Sequence, residues 1–304
     1  IFEPLKMKNT ISLYNEYLMA KNISKPHTLI DSKISKIPFP NLDNLAPAGG
    51  IASSIIDISK WIIAQLDSGR FENERALPIE VIKRIRQPLT IDAVSAEYYP
   101  FNRNNFSLYG MGWWLDDYEG EKIVYHSGGI NGFLTTVTLV PQANLGIAVF
   151  TNTDQNYFSW AMRAEVTDAF LGLPYRNYSD HYLKLFNKKK EDGIKDTQIL
   201  RDSVIMNIKT EIYLADFVGK YKNDLYGFAE IKQIEKYLEL YFEHHPKLTA
   251  KLEYIDNKRF LCTFSDPIFG VNVIPFNFEN DSVKDFTLFV DAWIDSMNYK
   301  FIKQ

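Results

Sequence analysis

Lys122-Ile-Val-Tyr-His126-Ser-Gly-Gly129-Ile-Asn-Gly-Phe133-Leu-Thr-Thr-Val-Thr-Leu-Val140 is the stretch whose reading decides the fold. β-Branched and aromatic residues crowd Lys122 to His126 and again Phe133 to Val140, and Leu145-Gly-Ile-Ala-Val-Phe150 repeats the pattern, which is strand composition. Pro141-Gln-Ala-Asn144 is a short hairpin loop, and Gly128 to Gly132 supplies a glycine-rich break between the first two stretches. An antiparallel meander follows. Working outward, Ser107-Leu-Tyr-Gly-Met-Gly-Trp-Trp-Leu115 predicts a fourth strand, and residues 156–171 predict a helix with Phe158, Ala161, Met162, Val166 and Phe170 on one face. Upstream, residues 53–67 predict an amphipathic helix. Ser54 and Asp57 have capping-box spacing, and Ile55, Ile58, Ile62 and Leu66 recur as one buried face would require. The class predicted is α+β, an antiparallel sheet with packed helices.

Within that meander the run His126-Ser127-Gly128-Gly129 carries the chemistry. Side chains alternate along a strand, so His126 and Gly128 share one face and Ser127 takes the other, a poor arrangement for a nucleophile and its base. A serine nucleophile on a sharp elbow takes Gly-x-Ser-x-Gly, and Tyr125-His126 stands where its first half would be. The run suits the wall of a cleft: an imidazole, a position without a side chain where substrate can lie, and a backbone N–H left for a ligand. A lone histidine at a strand end is more often a surface or satisfied core residue, so the run needs company to mean catalysis. His27, His181 and the pair His244-His245 have no partners at metal-ligand spacing, so neither a metal nor a cofactor is predicted.

That company exists. The run resembles the third motif of the serine β-lactamase and penicillin-binding protein superfamily, in the class-C-like branch of esterases and D-amino-acid peptidases, where His-x-Gly often replaces lysine-threonine-glycine. Ile1-Phe-Glu-Pro-Leu-Lys-Met-Lys-Asn-Thr10 is similar to the family's Phe-x-Pro-Leu-Gly-Met segment, with Lys6 where glycine is usual. Ala46-Pro-Ala-Gly-Gly50 with Ser53, Asp57 and Trp61, and Tyr109-Gly-Met-Gly-Trp113, match two more segments in order. The resemblance covers residues 1 to about 172 and implies the C-terminal half of a β-lactamase or transpeptidase-like fold. It implies that the N–H of Gly129 belongs to an oxyanion hole and that His126 replaces the third-motif cation or hydrogen-bond donor. It further implies that Ser127 contacts a substrate carboxylate or fixes the strand, and that Gly128 lies along the substrate. The family also requires a Ser-x-x-Lys nucleophile and a Tyr-x-Asn relay. No serine of this chain has lysine three positions on, and Tyr175-Arg-Asn177 and Tyr221-Lys-Asn223 fall on the wrong side of the other motifs. The reading that follows is a fragment, cut just past the missing motifs and inactive alone, of a serine hydrolase that forms an acyl-enzyme with an amide or ester. The alternative is a non-catalytic protein that binds cell-wall peptides or a partner on a degenerate fold.

Beyond residue 172 the character changes. Lys188-Lys-Lys190 runs straight into Glu191-Asp192-Gly193, which suggests a solvated linker or an exposed helix over 175–210, and a nucleic-acid patch is much the weaker reading. Eight short strand-like stretches follow: 214–221, 228–232, 237–242, 247–252, 259–264, 271–274, 286–290 and 298–301. They predict a small antiparallel barrel or sandwich, and Phe217-Val-Gly-Lys-Tyr221 resembles the opening of the lipocalin-like domain found behind β-lactamase-related domains. A barrel of this size is filled by side chains as readily as it encloses a ligand. The organisation predicted is 1–174 catalytic half, 175–210 linker, 211–304 barrel. A hydrophobic content of 46% over 304 residues is ample for two cores, and a net charge of -4 argues against a nucleic-acid partner. A small molecule or peptide is the expected substrate, with association with an N-terminal half as the one further partner. Cys262, the single cysteine, excludes an intrachain disulfide, and no apolar run reaches the length of a membrane span. The family resemblance suggests the cell envelope.

Overall fold

The computed structural model describes residues 1–30, 32–92, 104–205, 213–256, 258–289 and 297–304. The chain forms two compact units, residues 1–187 and 188–304. In chain order the first contains α1 (Tyr14–Met19), the hairpin β1 (His27–Ile30) and β2 (Lys33–Lys36), α2 (Ala46–Gly49) and α3 (Ile55–Leu66). The short pair β3 (Arg70–Phe71) and β4 (Glu74–Arg75) and helix α4 (Ile79–Ile85) follow. Then come β5 (Thr90–Asp92), β6 (Ser107–Tyr109), β7 (Trp114–Tyr118), β8 (Glu121–Ile130), β9 (Phe133–Val140), β10 (Leu145–Thr151) and α5 (Phe158–Phe170). Strands β5 to β10 form one antiparallel sheet in strictly sequential order.

Alternation along the strands gives the sheet two buried faces. Trp113, Leu115, Val124 and Leu139 pack with Ile62 and Trp61 of α3, the two tryptophan rings stacked at 5.5 Å, and a Cβ on Gly146 would sit 2.2 Å from Ile62 Cγ2. Tyr118, Ile123, Tyr125, Val140, Leu145 and Ile147 pack on the other face with Trp160 and Val166 of α5. Ser54 caps α3 by accepting the Asp57 N–H at 3.2 Å, as its spacing requires. Asp57 does not complete a capping box. Its fully buried carboxylate accepts the Asn9 N–H at 2.7 Å, the Thr10 hydroxyl at 3.1 Å and Lys60 Nζ at 2.9 Å, and so clasps the N-terminal segment to α3. In that segment Lys6 has φ 52°, the left-handed region that glycine enters most easily.

Several local expectations need correction. Residues 107–115 are a hairpin and not one strand: Gly110 N–H bonds Trp113 O at 2.8 Å, Gly112 has φ 78°, and the chain reverses between β6 and β7. Gly128 and Gly129 do not break the strand, because β8 runs through them to Ile130 and only Asn131-Gly132 turn. Ile55 of α3 is 50% exposed, while Ile62 is buried. On α5 the predicted apolar stripe is only partly buried: Ala161 is buried and Val166 packs on the sheet, but Phe158 and Phe170 at its ends are exposed, while the polar Ser159, Arg163, Thr167 and Asp168 are buried.

Helix α6 (Tyr178–Ile205) occupies most of the stretch read as a linker or exposed helix, of which 206–210 lie outside the described residues. The second unit then closes as an eight-stranded antiparallel barrel: β11 (Gly219–Asn223), β12 (Gly227–Ile234), β13 (Tyr237–Phe242), β14 (Thr249–Asp256), β15 (Arg259–Phe264), β16 (Val271–Glu279), β17 (Ser282–Phe289) and β18 (Asn298–Lys303). Each predicted strand region contributes one strand. Leu214–Phe217 instead forms a 3-10 turn, and Val290 lies outside the described residues. The barrel interior is packed with Phe217, Tyr221, Phe260, Phe276, Phe286 and Phe301, so side chains fill it.

Candidate active site

The register of the sheet creates one exposed backbone edge. Pairing of β7 with β8 ends at Trp114↔Tyr125, whereas β8 stays paired with β9 through His126↔Val137, Ser127↔Thr136, Gly128↔Thr135 and Gly129↔Leu134 to Ile130↔Phe133. Among the described residues no strand borders the other side of residues 126–130. A two-residue turn makes Ile130 and Phe133 a hydrogen-bonded pair, and pairs alternate from there. The N–H and C=O groups of Ser127 and Gly129 therefore point away from β9 into the open edge.

Gly128 and Gly129 are both exposed and have ordinary extended φ, so the backbone does not require glycine at either position. What they provide is the missing side chain. A Cβ on Gly129 would stand 2.9 Å from Leu134 Cδ2, and one on Gly128 would project 3.3 Å from Thr135 Oγ1. Two exposed glycines weaken a strand, and here they leave its surface bare where the edge N–H groups are free of a neighbouring strand.

His126 is half-buried beside that edge. Its Nε2 lies 3.2 Å from the Tyr109 hydroxyl, and its ring lies 4.5 Å from the Trp114 ring. Burial lowers the imidazole pKa, against a smaller opposing effect of a hydrogen bond with the Ser127 backbone, so the ring is neutral at pH 7. Neutral imidazole has one donor and one acceptor nitrogen and suits hydrogen bonding better than the work of a cation. Ser127 is half-buried on the same face as its partner Thr136. Sequence reasoning grouped His126, Ser127, Gly128 and Gly129, and the fold places them consecutively on β8. It missed Tyr109 and Trp114 as the groups that orient His126. The signal available was the Tyr109-Gly-Met-Gly-Trp113 segment, whose turn brings both rings back across the sheet.

The rim comes from segments upstream of the sheet. The Gly49 position approaches Ile130 Cγ2, 3.7 Å from where a Cβ would stand. Leu13, Tyr14, Tyr17, Phe39 and Leu42 line an adjacent apolar groove, in which the Phe39 ring stacks 3.6 Å from Tyr17 and meets Phe133 edge-on at 6.1 Å. His27 N–H bonds Gly132 O at 3.3 Å and Asp154 accepts the Gly132 N–H at 2.8 Å, which fixes the β8–β9 turn. Among the described residues no group of three or more His, Cys, Asp or Glu side chains is placed to hold a metal ion.

A model of the beta-lactamase family matches residues 1–171, more than half of the chain. The chain belongs to the beta-lactamase family. An unguisins hydrolase of Aspergillus campestris (strain IBT 28561) is 30% identical over 163 residues, 52% of this chain and 28% of that protein. Another, of Aspergillus violaceofuscus (strain CBS 115571), is 23% identical over 258 residues, 76% of this chain and 44% of that protein. This beta-lactamase-family chain thus spans less than half the length of either relative. Among solved structures, an octameric penicillin-binding protein homologue from Pyrococcus abyssi is 18% identical with a TM-score of 0.48, covering 100% of this chain and 58% of that one. A D-stereospecific amidohydrolase from Streptomyces sp. is 20% identical with a TM-score of 0.42, covering 57% of this chain and 47% of that one.

Proposed function

We propose that this chain supplies the oxyanion-binding wall of a serine hydrolase that cleaves an amide or ester through an acyl-enzyme. The observation that carries the reading is the open edge of β8, where the Gly129 N–H faces outward beside two exposed glycines and a neutral, hydrogen-bonded His126. In the proposed reaction a serine hydroxyl from outside these 304 residues attacks the carbonyl carbon. The resulting oxyanion accepts from the Gly129 N–H and from the nucleophile's own N–H. Collapse expels the amine or alcohol, which takes up a proton, and water then hydrolyses the acyl-enzyme to restore the serine. His126 orients the proton-relaying hydroxyl or the substrate, Gly128 lets the substrate lie along the strand, and Ser127 holds the strand or meets a substrate carboxylate. The barrel of residues 211–304 is read as an accessory lipocalin-like domain joined through 175–210.

The nucleophile has to come from a further segment. No serine here carries lysine at the third position on, the matched part of this chain covers only 28% and 44% of the named relatives, and β10 presents an outer edge with no strand on it among the described residues. Leu145-Gly-Ile-Ala-Val-Phe-Thr151 has no charge and no proline along that edge, and such an edge is a template for another strand. Assays of this polypeptide alone, and of the whole reading frame that encodes it, with nitrocefin, p-nitrophenyl esters and D-amino-acid anilides test the proposal. Turnover is expected only from a longer product bearing Ser-x-x-Lys, with a serine-directed reagent blocking it. Turnover by these 304 residues alone would overturn the assignment, and a frame without the motif would leave a binding protein on a degenerate fold.

A further inference from the structure

Three strands that precede β8 in the chain converge on the His126 ring. From β6, the Tyr109 hydroxyl lies 3.2 Å from Nε2. From β7, the Trp114 ring lies 4.5 Å from the imidazole and meets the Tyr109 ring edge-on at 5.1 Å. From β5, the Asp92 carboxylate accepts the Nε1–H of Trp114 at 2.9 Å and pins that indole in place. The register brings them together. Tyr109 is opposite Trp114, and Trp114 is opposite Tyr125 in the last β7–β8 pair, one residue before His126.

Neutral imidazole carries one N–H, and the partners of its two nitrogens settle which of them holds it. A tyrosine hydroxyl can donate or accept, so the contact with Tyr109 is compatible with two tautomers. In one, Tyr109 accepts from Nε2–H and the Nδ1 lone pair is left as a base. In the other, Tyr109 donates to the Nε2 lone pair and the proton sits on Nδ1. The Ser127 backbone separates them. Its hydrogen bond with the ring favours the charged form, so the ring is the donor and the Ser127 carbonyl the acceptor. With Nε2 turned to Tyr109 that donor is Nδ1, and a neutral ring that donates from Nδ1 has only a lone pair to offer at Nε2.

We propose that Tyr109 is a positioning residue whose hydroxyl donates to Nε2 and holds His126 as the Nδ1–H tautomer, with a donor and no basic lone pair at the open edge of β8. The Nδ1–H then steadies the Ser127 carbonyl, whose second lone pair is left for an N–H of the substrate. His126 is neither the cation nor the base of the site. That this arrangement serves hydrolysis rests on the function proposed above, and the tautomer itself does not.

Nitrogen-15 correlation spectra of the imidazoles, recorded on the whole 304-residue chain at pH about 8, above the ordinary histidine pKa, read the tautomer directly. His126→Gln identifies the His126 signals among those of the five histidines. The wild type should show a protonated Nδ1 and a bare Nε2. Tyr109→Phe keeps the ring and loses the donor, and should move the population toward Nε2–H. A wild-type Nε2–H ring, or a tautomer unchanged in Tyr109→Phe, would overturn the proposal. Should Tyr109→Phe not fold, the wild-type spectrum decides by the same criterion. In a longer product bearing Ser-x-x-Lys, Tyr109→Phe should lower kcat for a p-nitrophenyl ester several-fold and leave KM nearly unchanged. An Nδ1–H ring together with an unaltered kcat would uphold the tautomer and count against the hydrolytic reading of β8.

Discussion

His126 is held by three neighbours of different kinds: the Tyr109 hydroxyl, the Trp114 ring and the Ser127 backbone. Because burial depresses its pKa, the unfolded chain takes up a proton near the ordinary histidine value of about 6.5 that the folded imidazole refuses. Its contribution to stability is therefore complete above that pH and lost as pH falls from there through the folded value. Urea titrations between pH 5 and 8 should show a slope in that window that His126→Gln removes, and an unchanged slope would contradict the buried neutral ring. Asp57 has the same sign for a different reason. Burial opposes its ionisation, but the hydrogen bonds from Lys60, the Asn9 N–H and Thr10 outweigh that and lower its pKa. Its stabilisation is present above the ordinary aspartate range and disappears as acid carries pH through the folded value. Asp57→Ala leaves two donors of the N-terminal segment without their acceptor and should cost about 2–3 kcal/mol in denaturant unfolding at pH 7. A loss below about 0.5 kcal/mol would mean that the segment is not clasped through this carboxylate.

At the scale of elements, β8 is a strand of the sheet and, in the proposed reaction, also the wall along which the substrate lies. Gly128 tests the division, since its φ suits any residue and a Cβ there would meet only Thr135 Oγ1 at 3.3 Å. Gly128→Val should raise stability by about 0.5–1 kcal/mol, because valine is a better strand residue than glycine. The same branched side chain would cover the edge, so turnover in the proposed reaction, measured on the longer product of the encoding frame, should fall by at least tenfold. Stability and turnover rising together would place the substrate elsewhere. Much of this element level was legible in the sequence. Regions of dense alternation such as 237–242 and 298–301 announce themselves, because a two-residue period with aromatic and aliphatic side chains has few other solutions. The β6–β7 hairpin was not, since Gly110 to Gly112 turn between closely spaced aromatic residues that read as one strand, and the turn is fixed by the distant contact of Met111 N–H with Ile85 O. The buried face of α5 was legible only in part: the apolar stripe places Ala161 and Val166, but the burial of Ser159, Arg163, Thr167 and Asp168 leaves no apolar signal in the sequence. The open edge of β8 depends on where β7 stops, which is a fact of pairing between strands and not of any one segment.

At the scale of the molecule, residues 1–187 and 188–304 each have their own core, and the second is the more completely aromatic. Phe286 is at its centre, fully buried, stacked on Phe301 with ring centroids 4.9 Å apart and edge-on to Tyr221 at 5.1 Å. Truncation to alanine removes those contacts and leaves a void that a closed barrel cannot easily collapse, at a cost of about 3–5 kcal/mol. Units with separate cores unfold as separate cooperative blocks, so the loss should be confined to one of them. Hydrogen exchange resolved by peptide should show β11 to β18 exchanging far faster in Phe286→Ala while β7 to β10 keep their wild-type protection. Equal loss in both regions would mean that the sheet depends on the barrel for its stability. Confinement to the barrel would free the sheet unit to be studied by itself, and the β8 edge could then be supplied with a nucleophile-bearing segment without the barrel present.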